Sequence, residues 1–302
     1  MPIDLVSAGE AFEDLVFHGL RRLPRLGEEL RTPVFARTFG GGTLITAVAA
    51  ARAGARVEVI SALADAAQAR LRTEGIRIRN LKAPGEPHAI SVSLSTRRDR
   101  AFVTFDGVNE QLEERLLERF DAALPRARHL HLALGPRNPG AWARLLARCR
   151  ARGITTSWDF GWHDALPSRR GFRSLLRMLD WVFVNEREAC HYTGVRSLTR
   201  ACQRWPELAP RTVIKQGADG ALALAGGAVL HVAAPRVRVV DTTGAGDAFN
   251  GGFLATLVRG EPIEACLAAG VRVGSASVRA AGGLDALPPR PEARLRRPRS
   301  RR

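Results

Sequence analysis

Short apolar runs alternate with amphipathic segments along most of the chain. The apolar runs, which are typical of buried strands, are Ile3–Ser7, Val57–Ser61, Leu130–Leu134, Ile154–Trp158, Trp181–Val184 and Thr212–Lys215. The segments with helical spacing are Leu44–Ala53, Ala64–Glu74, Gly140–Arg152, Arg169–Leu179 and Glu186–Tyr192. Strands that alternate with helices in this way predict an α/β domain with a mostly parallel sheet.

Two regions depart from this pattern, because they alternate apolar and polar residues with period two and contain no helix between their members. They are Glu13–Phe17 with Pro33–Thr38, and Ala89–Thr96 with Ala101–Phe105. Paired strands of this kind predict a small sheet that stands off the main body and covers a cleft as a lid. A simple edge hairpin is the alternative.

The clearest chemical signal is a strand followed by the sequence Thr-Thr-Gly-Ala-Gly-Asp and a helix that extends to Val258. The first N–H groups of a helix have no partner within it, and Gly244, Ala245 and Gly246 are small enough to let a phosphate approach them. Asp247 would repel a polyphosphate on the same amides, so it is better placed to accept the proton of an attacking hydroxyl. An acid that only stabilises the helix N-terminus is the alternative.

Three other phosphate-binding motifs do not fit this chain. A Walker A loop needs Gly-Lys followed by Ser or Thr, and neither Lys82 nor Lys215 follows a glycine. A dinucleotide-binding fingerprint would need glycine where Phe249 stands. The His-Arg-Asp loop of protein kinases is also absent from the sequence. These three classes are therefore excluded.

The Thr-Thr-Gly-Ala-Gly-Asp motif and five further segments resemble the signatures of the PfkB, or ribokinase-like, carbohydrate kinases. In the order of that family, the segments are Gly9–Asp14, Thr38–Gly54, Asp106–Asn109, Asn185–Glu188, Lys215–Gly220 and Asp241–Phe249. The resemblance implies a three-layer α/β/α ribokinase-like core with a small β-sheet lid. It places the kinase domain at residues 1–289 and the lid strands within about 12–39 and 88–106.

The same resemblance implies an ATP-dependent transfer of phosphate to a hydroxyl of a sugar or sugar acid. The residues implied for transfer are Asp247 as the base and the amides of Gly244, Ala245, Gly246 and Asp247 as an anion hole. The residues implied for binding of the sugar are Asp14, Gly41 and Gly42. A homodimer formed through the lid is a further expectation.

For the nucleotide, the resemblance implies that Lys215, Gly217 and Gly220 lie beside ATP. Asn185 and Glu188 would steer Mg²⁺ near the ATP phosphates, and Asp241 would help to bind a monovalent cation such as K⁺. A lysine at the end of a strand can also simply extend into solvent, so this alternative stays open for Lys215.

Two departures from the family pattern concern the acceptor end of the site. Ile45 stands where many sugar kinases have asparagine, and the segment Ser61–Asp65 is shortened and lacks glycine. Isoleucine cannot hydrogen-bond a sugar hydroxyl, so it would shift the acceptor preference unless it packs inside the helix. Sugar kinase is the leading hypothesis. The alternatives are a nucleoside kinase of the same fold and a catalytically silent sugar-binding or regulatory homologue.

The charge balance changes this picture little. The chain carries 46 basic and 30 acidic residues, a net charge of +16, and two of its basic residues are lysines. Residues 290–302 contain seven arginines and one glutamate, and we expect this tail to be disordered. Because no nucleic-acid-binding motif accompanies the charge, we expect no specific nucleic-acid partner.

Expectations about localisation and about the cysteines follow from signals that are missing from the sequence. It contains no secretory signal and no apolar run of about 18 residues, so we expect a cytoplasmic protein without a membrane partner. The four cysteines have no paired spacing and are expected to be core or surface thiols.

Overall fold

The structure, a computed structural model, describes residues 2–96, 100–280 and 282–289. Within these ranges the chain forms two β-sheets and a set of covering helices. In chain order the strands are β1 (Ile3–Gly9), β2 (Phe12–Leu20), β3 (Val34–Gly40), β4 (Val57–Ser61), β5 (Arg77–Asn80), β6 (Ile90–Thr96), β7 (Arg100–Phe105), β8 (Ala127–Ala133), β9 (Thr155–Asp159), β10 (Trp181–Asn185), β11 (Arg211–Lys215), β12 (Ala221–Ala225) and β13 (Ala228–Val232).

In the described part of the chain, the larger sheet has the strand order β13-β12-β11-β10-β9-β8-β1-β4-β5. Its central strands are parallel, and β12 and β13 add an antiparallel edge. The order reverses between β1 and β8, and the carboxyl ends of strands beside such a reversal form the usual binding crevice of α/β proteins. The prediction of a mostly parallel α/β sheet is confirmed.

Helices cover both faces of this sheet. In chain order they are α1 (Gly42–Arg52), α2 (Asp65–Thr73), α3 (Leu112–Ala122), α4 (Pro139–Ala151), α5 (Phe172–Met178), α6 (Glu186–Thr193), α7 (Leu198–Leu208), α8 (Ala245–Leu257) and α9 (Ile263–Ser277). One apolar cluster joins the sheet to α3 through α7, and a second joins it to α1, α2, α8 and α9. The predicted three-layer α/β/α core is therefore confirmed.

Helices α1 and α8 pack unusually close together. A Cβ atom on Gly251 of α8 would lie 2.5 Å from the Cβ of Ala49 and 2.6 Å from the carbonyl oxygen of Thr46, both on α1. Only glycine fits at this contact, since real Cβ atoms do not approach so closely. The two helices therefore bring their N-terminal ends side by side at the carboxyl edge of the sheet.

The smaller sheet has the order β3-β2-β6-β7 and confirms the predicted strands of a second sheet, with β2 extending beyond the predicted segment to Leu20. Its role as a lid stays a prediction. β2 pairs antiparallel with β3 and parallel with β6. Asp14 is in register with Thr38 and Ser91, so these three side chains share one face of the sheet. The opposite face is largely apolar.

The remaining sequence expectations concern composition. No helix in the described ranges is long and apolar enough to cross a bilayer. All four cysteines are free, with Cys149 and Cys266 buried and Cys190 and Cys202 partly exposed, as predicted. The arginine-rich tail at 290–302, with its predicted disorder, lies outside the described residues.

Candidate active site

Three polar side chains stand at the carboxyl ends of three neighbouring parallel strands. Asp159 ends β9, Asn185 ends β10 and Lys215 ends β11. Asn185 is directly opposite Lys215, so β10 and β11 end level, whereas Asp159 is opposite Phe183 and β9 ends two residues earlier. Neighbouring strands lie about 4.8 Å apart, which concentrates these polar groups in one row.

Lys215 belongs to a buried network, not to the solvent-exposed surface. Its Nζ donates to Asp159 Oδ2 at 2.6 Å, and the amide of Asn250 donates to the same oxygen at 2.7 Å. Only 14% of the Lys215 side chain and 10% of the Asp159 side chain are exposed. The alternative that Lys215 extends into solvent is therefore wrong.

The charges in this network shift the pKa values of Lys215 and Asp159. Burial alone would lower the pKa of Lys215, but the carboxylates of Asp159, Glu188 and Asp247 outweigh it and raise the pKa above its usual value. Burial likewise works to raise the pKa of Asp159, yet Lys215 and the hydrogen bond from Asn250 bring it below its usual value. The two residues form a charged pair.

The predicted helix follows the small-residue turn, but the strand predicted before the turn is wrong, because residues 233–244 form no strand. Gly244 caps the helix with φ 71°, a left-handed conformation that favours glycine. A Cβ on Gly246 would lie 3.1 Å from Lys215 Nζ, so the ammonium is directly beside this turn. The helix starts at Ala245, as the motif predicts, and its first amides face the carboxyl edge of the sheet.

Asp247 occupies the first turn of α8, next to the N-terminus of α1. A Cβ on Gly42 would lie 3.1 Å from Asp247 Oδ1, and the hydroxyl of Thr46 donates to the Asp247 carbonyl oxygen at 3.1 Å. Burial, together with the negative charge of Asp159, raises the pKa of Asp247 to about 7 despite the opposing effect of Lys215. A carboxyl group with this pKa can take up and release a proton near neutral pH.

The predicted acceptor residues cluster around the start of α1. A Cβ on Gly40 would lie 2.0 Å from Asp14 Oδ2, so Asp14 of the lid packs directly on this glycine. Gly41 adopts φ 92° and lies against the backbone of Glu10. Burial raises the pKa of Asp14 to about 7. Asp14, Gly41 and Gly42 thus lie along one path that ends at Asp247.

A cleft of about 400 Å³ adjoins this path, and its lining includes Glu10, Asp106, Asn109, Arg137 and His163. Burial and the charge of Asp106 raise the pKa of Glu10 to about 7, although Arg137 opposes the shift. Sequence reasoning did not select Glu10 as a site residue. Its position directly after the first buried strand was the available signal.

Ile45 faces the anion-binding turn. It is 3% exposed, and its Cδ1 lies 2.5 Å from the position of a Cβ on Gly244 and 2.9 Å from that of a Cβ on Gly283. The side chain therefore packs against the turn from inside the core and supports it. This geometry favours the packing alternative over a direct effect of Ile45 on acceptor preference.

The predicted nucleotide loop is a tight turn after β11. Residues Gly217–Asp219 form one turn of 3₁₀ helix, and Gly217 adopts φ 57°. Gly220 has φ 98°, and a Cβ there would lie 2.0 Å from the carbonyl oxygen of Val232 on β13. Both glycines are thus required by the fold itself. Their contact with ATP stays a prediction.

Of the predicted metal residues, Asn185 and Glu188 lie together. The backbone N–H of Glu188 donates to Asn185 Oδ1 at 2.9 Å, and the backbone N–H of Asn185 donates to Glu188 Oε2 at 2.8 Å. The two bonds form a capping box at the start of α6. Burial and the charge of Asp159 raise the pKa of Glu188. No group of three or more His, Cys, Asp or Glu side chains in the described ranges is arranged to hold a metal ion.

Asp241 braces the loop before α8. Its Oδ1 accepts from the amide of Thr243 at 2.9 Å and from the Thr243 hydroxyl at 2.7 Å, and its Oδ2 accepts the amide of Gly282 at 3.2 Å. The carboxylate thus joins two loops that border the anion-binding turn. Its predicted role with a monovalent cation is compatible with this position but is not tested by it.

Comparison with known proteins agrees with this geometry. The model of the pfkB family of carbohydrate kinases matches residues 3–290. A 2-dehydro-3-deoxygalactonokinase of Haloferax volcanii is 28% identical, over 96% of this chain and 95% of its own. A cytidine kinase of Thermococcus kodakarensis is 34% identical, but the match spans 46% of this chain and about half (51%) of that relative.

Solved structures show the same fold. The ribokinase of Arabidopsis thaliana, solved with ribose and ATP, superimposes with a TM-score of 0.75 at 23% identity and covers 96% of this chain and 97% of its own. The family match spans nearly the whole chain and includes the strand ends, the smaller sheet and the turn before α8. The protein is an ATP-dependent kinase that belongs to the pfkB family of carbohydrate kinases.

Proposed function

We propose that this kinase transfers the γ-phosphoryl group of ATP to a hydroxymethyl group of a sugar or sugar acid, with Asp247 as the base. The observation that carries the proposal is the carboxyl of Asp247, with its pKa raised to about 7, on the turn of small residues that starts α8. The same turn offers amides for the phosphoryl group and a carboxylate for the acceptor proton.

In the proposed reaction, the acceptor lies along the path from Asp14 past Gly41 and Gly42 to Asp247. Asp14 would accept hydrogen bonds from sugar hydroxyls, and the two glycines leave room for the sugar beside the helix ends. Asp247 removes the proton of the reacting hydroxyl, whose oxygen then bonds to the γ-phosphorus. The bond between that phosphorus and ADP breaks, and its electron pair leaves with ADP.

The charge that develops on the transferred group would be met by the amides of Gly244, Ala245, Gly246 and Asp247. Lys215, Gly217 and Gly220 would lie beside the nucleotide. Glu188 fits a role with Mg²⁺, because it is a buried carboxylate in the first turn of α6, directly after β10, with Asn185 fixing its orientation. Mg²⁺ bound with ATP would neutralise part of the phosphate charge.

Asp241 is proposed to contribute to a site for a monovalent cation on the two loops that it joins. Bound potassium would then help to hold the anion-binding turn in its conformation. The test is turnover in potassium, sodium and tetramethylammonium chloride at equal ionic strength. Equal rates in all three salts would remove this role from Asp241.

We also propose that a second copy of the chain covers the apolar face of the lid. Phe35, Val103 and Phe105 alternate onto this face and are 53%, 68% and 55% exposed. Sedimentation of the wild type and of Val103→Glu tests the assembly. A monomeric wild type would contradict it, whereas a dimer that Val103→Glu dissociates would support it.

The acceptor is identified by a screen of ATP consumption across pentoses, ketohexoses, aldonic derivatives and nucleosides. Turnover with sugars or sugar acids supports the proposal. Turnover with nucleosides alone would favour a nucleoside kinase. The similarity to a cytidine kinase supports this alternative. Binding of a sugar without turnover would favour a catalytically silent homologue.

A further inference from the structure

Asp159, Lys215 and Asn250 form a buried cluster directly behind the turn that starts α8. The ammonium of Lys215 and the amide of Asn250 share one oxygen of Asp159, at 2.6 and 2.7 Å. Asn250 Oδ1 also lies 3.5 Å from the ammonium, and Asn250 is completely buried. An enclosed cation of this kind is positioned by its protein partners and not by water.

The position of the ammonium is informative. Lys215 Nζ lies beside Gly246, where no side chain separates it from the proposed anion hole. A lysine has four rotatable bonds and would sample many positions, but the bond to Asp159 confines it to one. A fixed positive charge next to a helix N-terminus adds to the attraction that the helix dipole exerts on an anion.

The ammonium of Lys215 is influenced by more carboxyl groups than the one in the cluster. Asp159, Glu188 and Asp247 all act on the single ammonium of Lys215. Of these three carboxylates, Asp159 is the one that directly contacts the ammonium in the described structure, so it determines where the ammonium lies. The other two carboxylates remain available to the substrates.

We propose that Lys215 is a catalytic cation that contacts the phosphoryl group during transfer, and that Asp159 and Asn250 are positioning residues that hold its ammonium at the turn. This inference rests on the proposed kinase function. Lys215 stays protonated throughout, while the acceptor proton goes to Asp247. The ammonium balances negative charge on the equatorial oxygens of the group in transfer, which the amides alone would meet less fully.

The competing explanation is that Asp159 and Lys215 form a structural ion pair. A double-mutant cycle separates the two, because a positioning residue has no effect once the group that it positions is gone. The variants are Asp159→Asn, Lys215→Met and the double variant. The double variant also protects against failure to fold, since it leaves neither charge buried without its partner.

The matched control is Asp4→Asn. Asp4 forms an ion pair with Arg56 at 2.6 Å near the start of β1, and it is remote from the carboxyl edge of the sheet. Its loss should lower the melting temperature and leave turnover unchanged. Thermal melts and the calorimetric Kd for ADP are measured for every variant, so that loss of fold and loss of nucleotide binding are separated from loss of transfer.

We expect Lys215→Met to lower kcat by about 10²–10³-fold, as for removal of one transition-state contact. Asp159→Asn should lower kcat by about 10²-fold through misplacement of the ammonium, with the Kd for ADP changed by less than about threefold. The double variant should match Lys215→Met within about threefold.

A folded Lys215→Met or Asp159→Asn that keeps at least a third of wild-type kcat would overturn the inference. So would losses that multiply in the double variant. If the wild type transfers phosphate and Asp247→Asn does not, either result counts against the Lys215 assignment alone. If the wild type transfers phosphate to no acceptor in the screen, the proposed function fails, and this inference fails with it.

Discussion

Substitution of Asp247 by asparagine should lower the activity of the enzyme and raise its thermal stability. Asparagine has nearly the same shape as aspartate and cannot accept a proton at neutral pH. It therefore removes the proposed base and leaves the backbone amides of the α8 turn in place. It also removes one carboxylate from a region that already contains Asp159 and Glu188.

The size of the activity loss follows from the role of the base. A positioned general base contributes about 10²–10⁴-fold to the rate, so kcat should fall by that factor. The amides that would hold phosphate are unchanged, and the affinity for ATP should therefore stay nearly constant.

The stability change follows from the raised pKa. Above about pH 7 Asp247 is ionised in both the folded and the unfolded chain, and only the folded chain bears the cost of enclosing that charge. Each pKa unit corresponds to about 1.4 kcal/mol, and even one unit would raise Tm by about 2–4 °C. As the pH falls toward the ordinary aspartate value, Asp247 becomes protonated and this advantage of asparagine should disappear.

The assay combines ADP release under saturating ATP with thermal melts at pH 5 and pH 8. Asp4→Asn serves as the control, because loss of its ion pair with Arg56 should lower Tm without affecting kcat. An Asp247→Asn protein with more than about a tenth of wild-type kcat would remove Asp247 from the role of base. If the Tm of Asp247→Asn at pH 8 is below that of the wild type, the ionised carboxylate stabilises the folded protein, and the reasoning is refuted.

Four further outcomes are expected. Gly40→Ala should raise the KM for the acceptor about tenfold or more and leave the KM for ATP unchanged, because its methyl group would displace Asp14. Ile45→Asn should lower Tm and reduce turnover of hydroxylated and deoxy acceptors equally, since this side chain supports Gly244 from the core; selective gain with a hydroxylated sugar would contradict the packing. The pH profile of kcat/KM should fall about tenfold per unit below pH 7 as the base becomes protonated, and a flat profile down to pH 5 would be inconsistent with its raised pKa. Deletion of residues 290–302 should preserve turnover and weaken retention on heparin, because these residues supply six of the sixteen net positive charges; loss of turnover would place the tail in the enzyme's working structure.

The sequence predicted the central layers of the fold well, because buried parallel strands produce continuous apolar runs. The sequence predicted some of the covering helices and the edge strands less well. The helix Leu112–Ala122, the helix Leu198–Leu208 and the edge strands β12 and β13 were not predicted. The two helices are amphipathic, so their periodic signal was present in the sequence and was missed. The edge strands are short, and their pairing on the sheet determines their structure.

For the site, glycine-rich signatures were visible because turns require them at fixed spacing. Asp159 and Asn250 were not visible in this way. Each is a single polar residue in an apolar neighbourhood, and they meet Lys215 only when β9, β11 and α8 are brought together. The same limit applies to Ile45, whose contacts with Gly244 and Gly283 come from opposite parts of the chain. Spacing along a sequence cannot reveal contacts that only tertiary structure creates.

The close approach of Gly42 to Asp247 has an evolutionary consequence. Any side chain added at position 42 would press on Asp247 Oδ1 at 3.1 Å and on the Cβ of Ala133 at 3.0 Å. The two glycine-rich signatures, far apart in sequence, therefore meet in one packing contact. A homologue with a larger residue at position 42 should accommodate it by a small shift of residue 133 or of the carboxyl at position 247, and that shift would change how the carboxyl faces the acceptor.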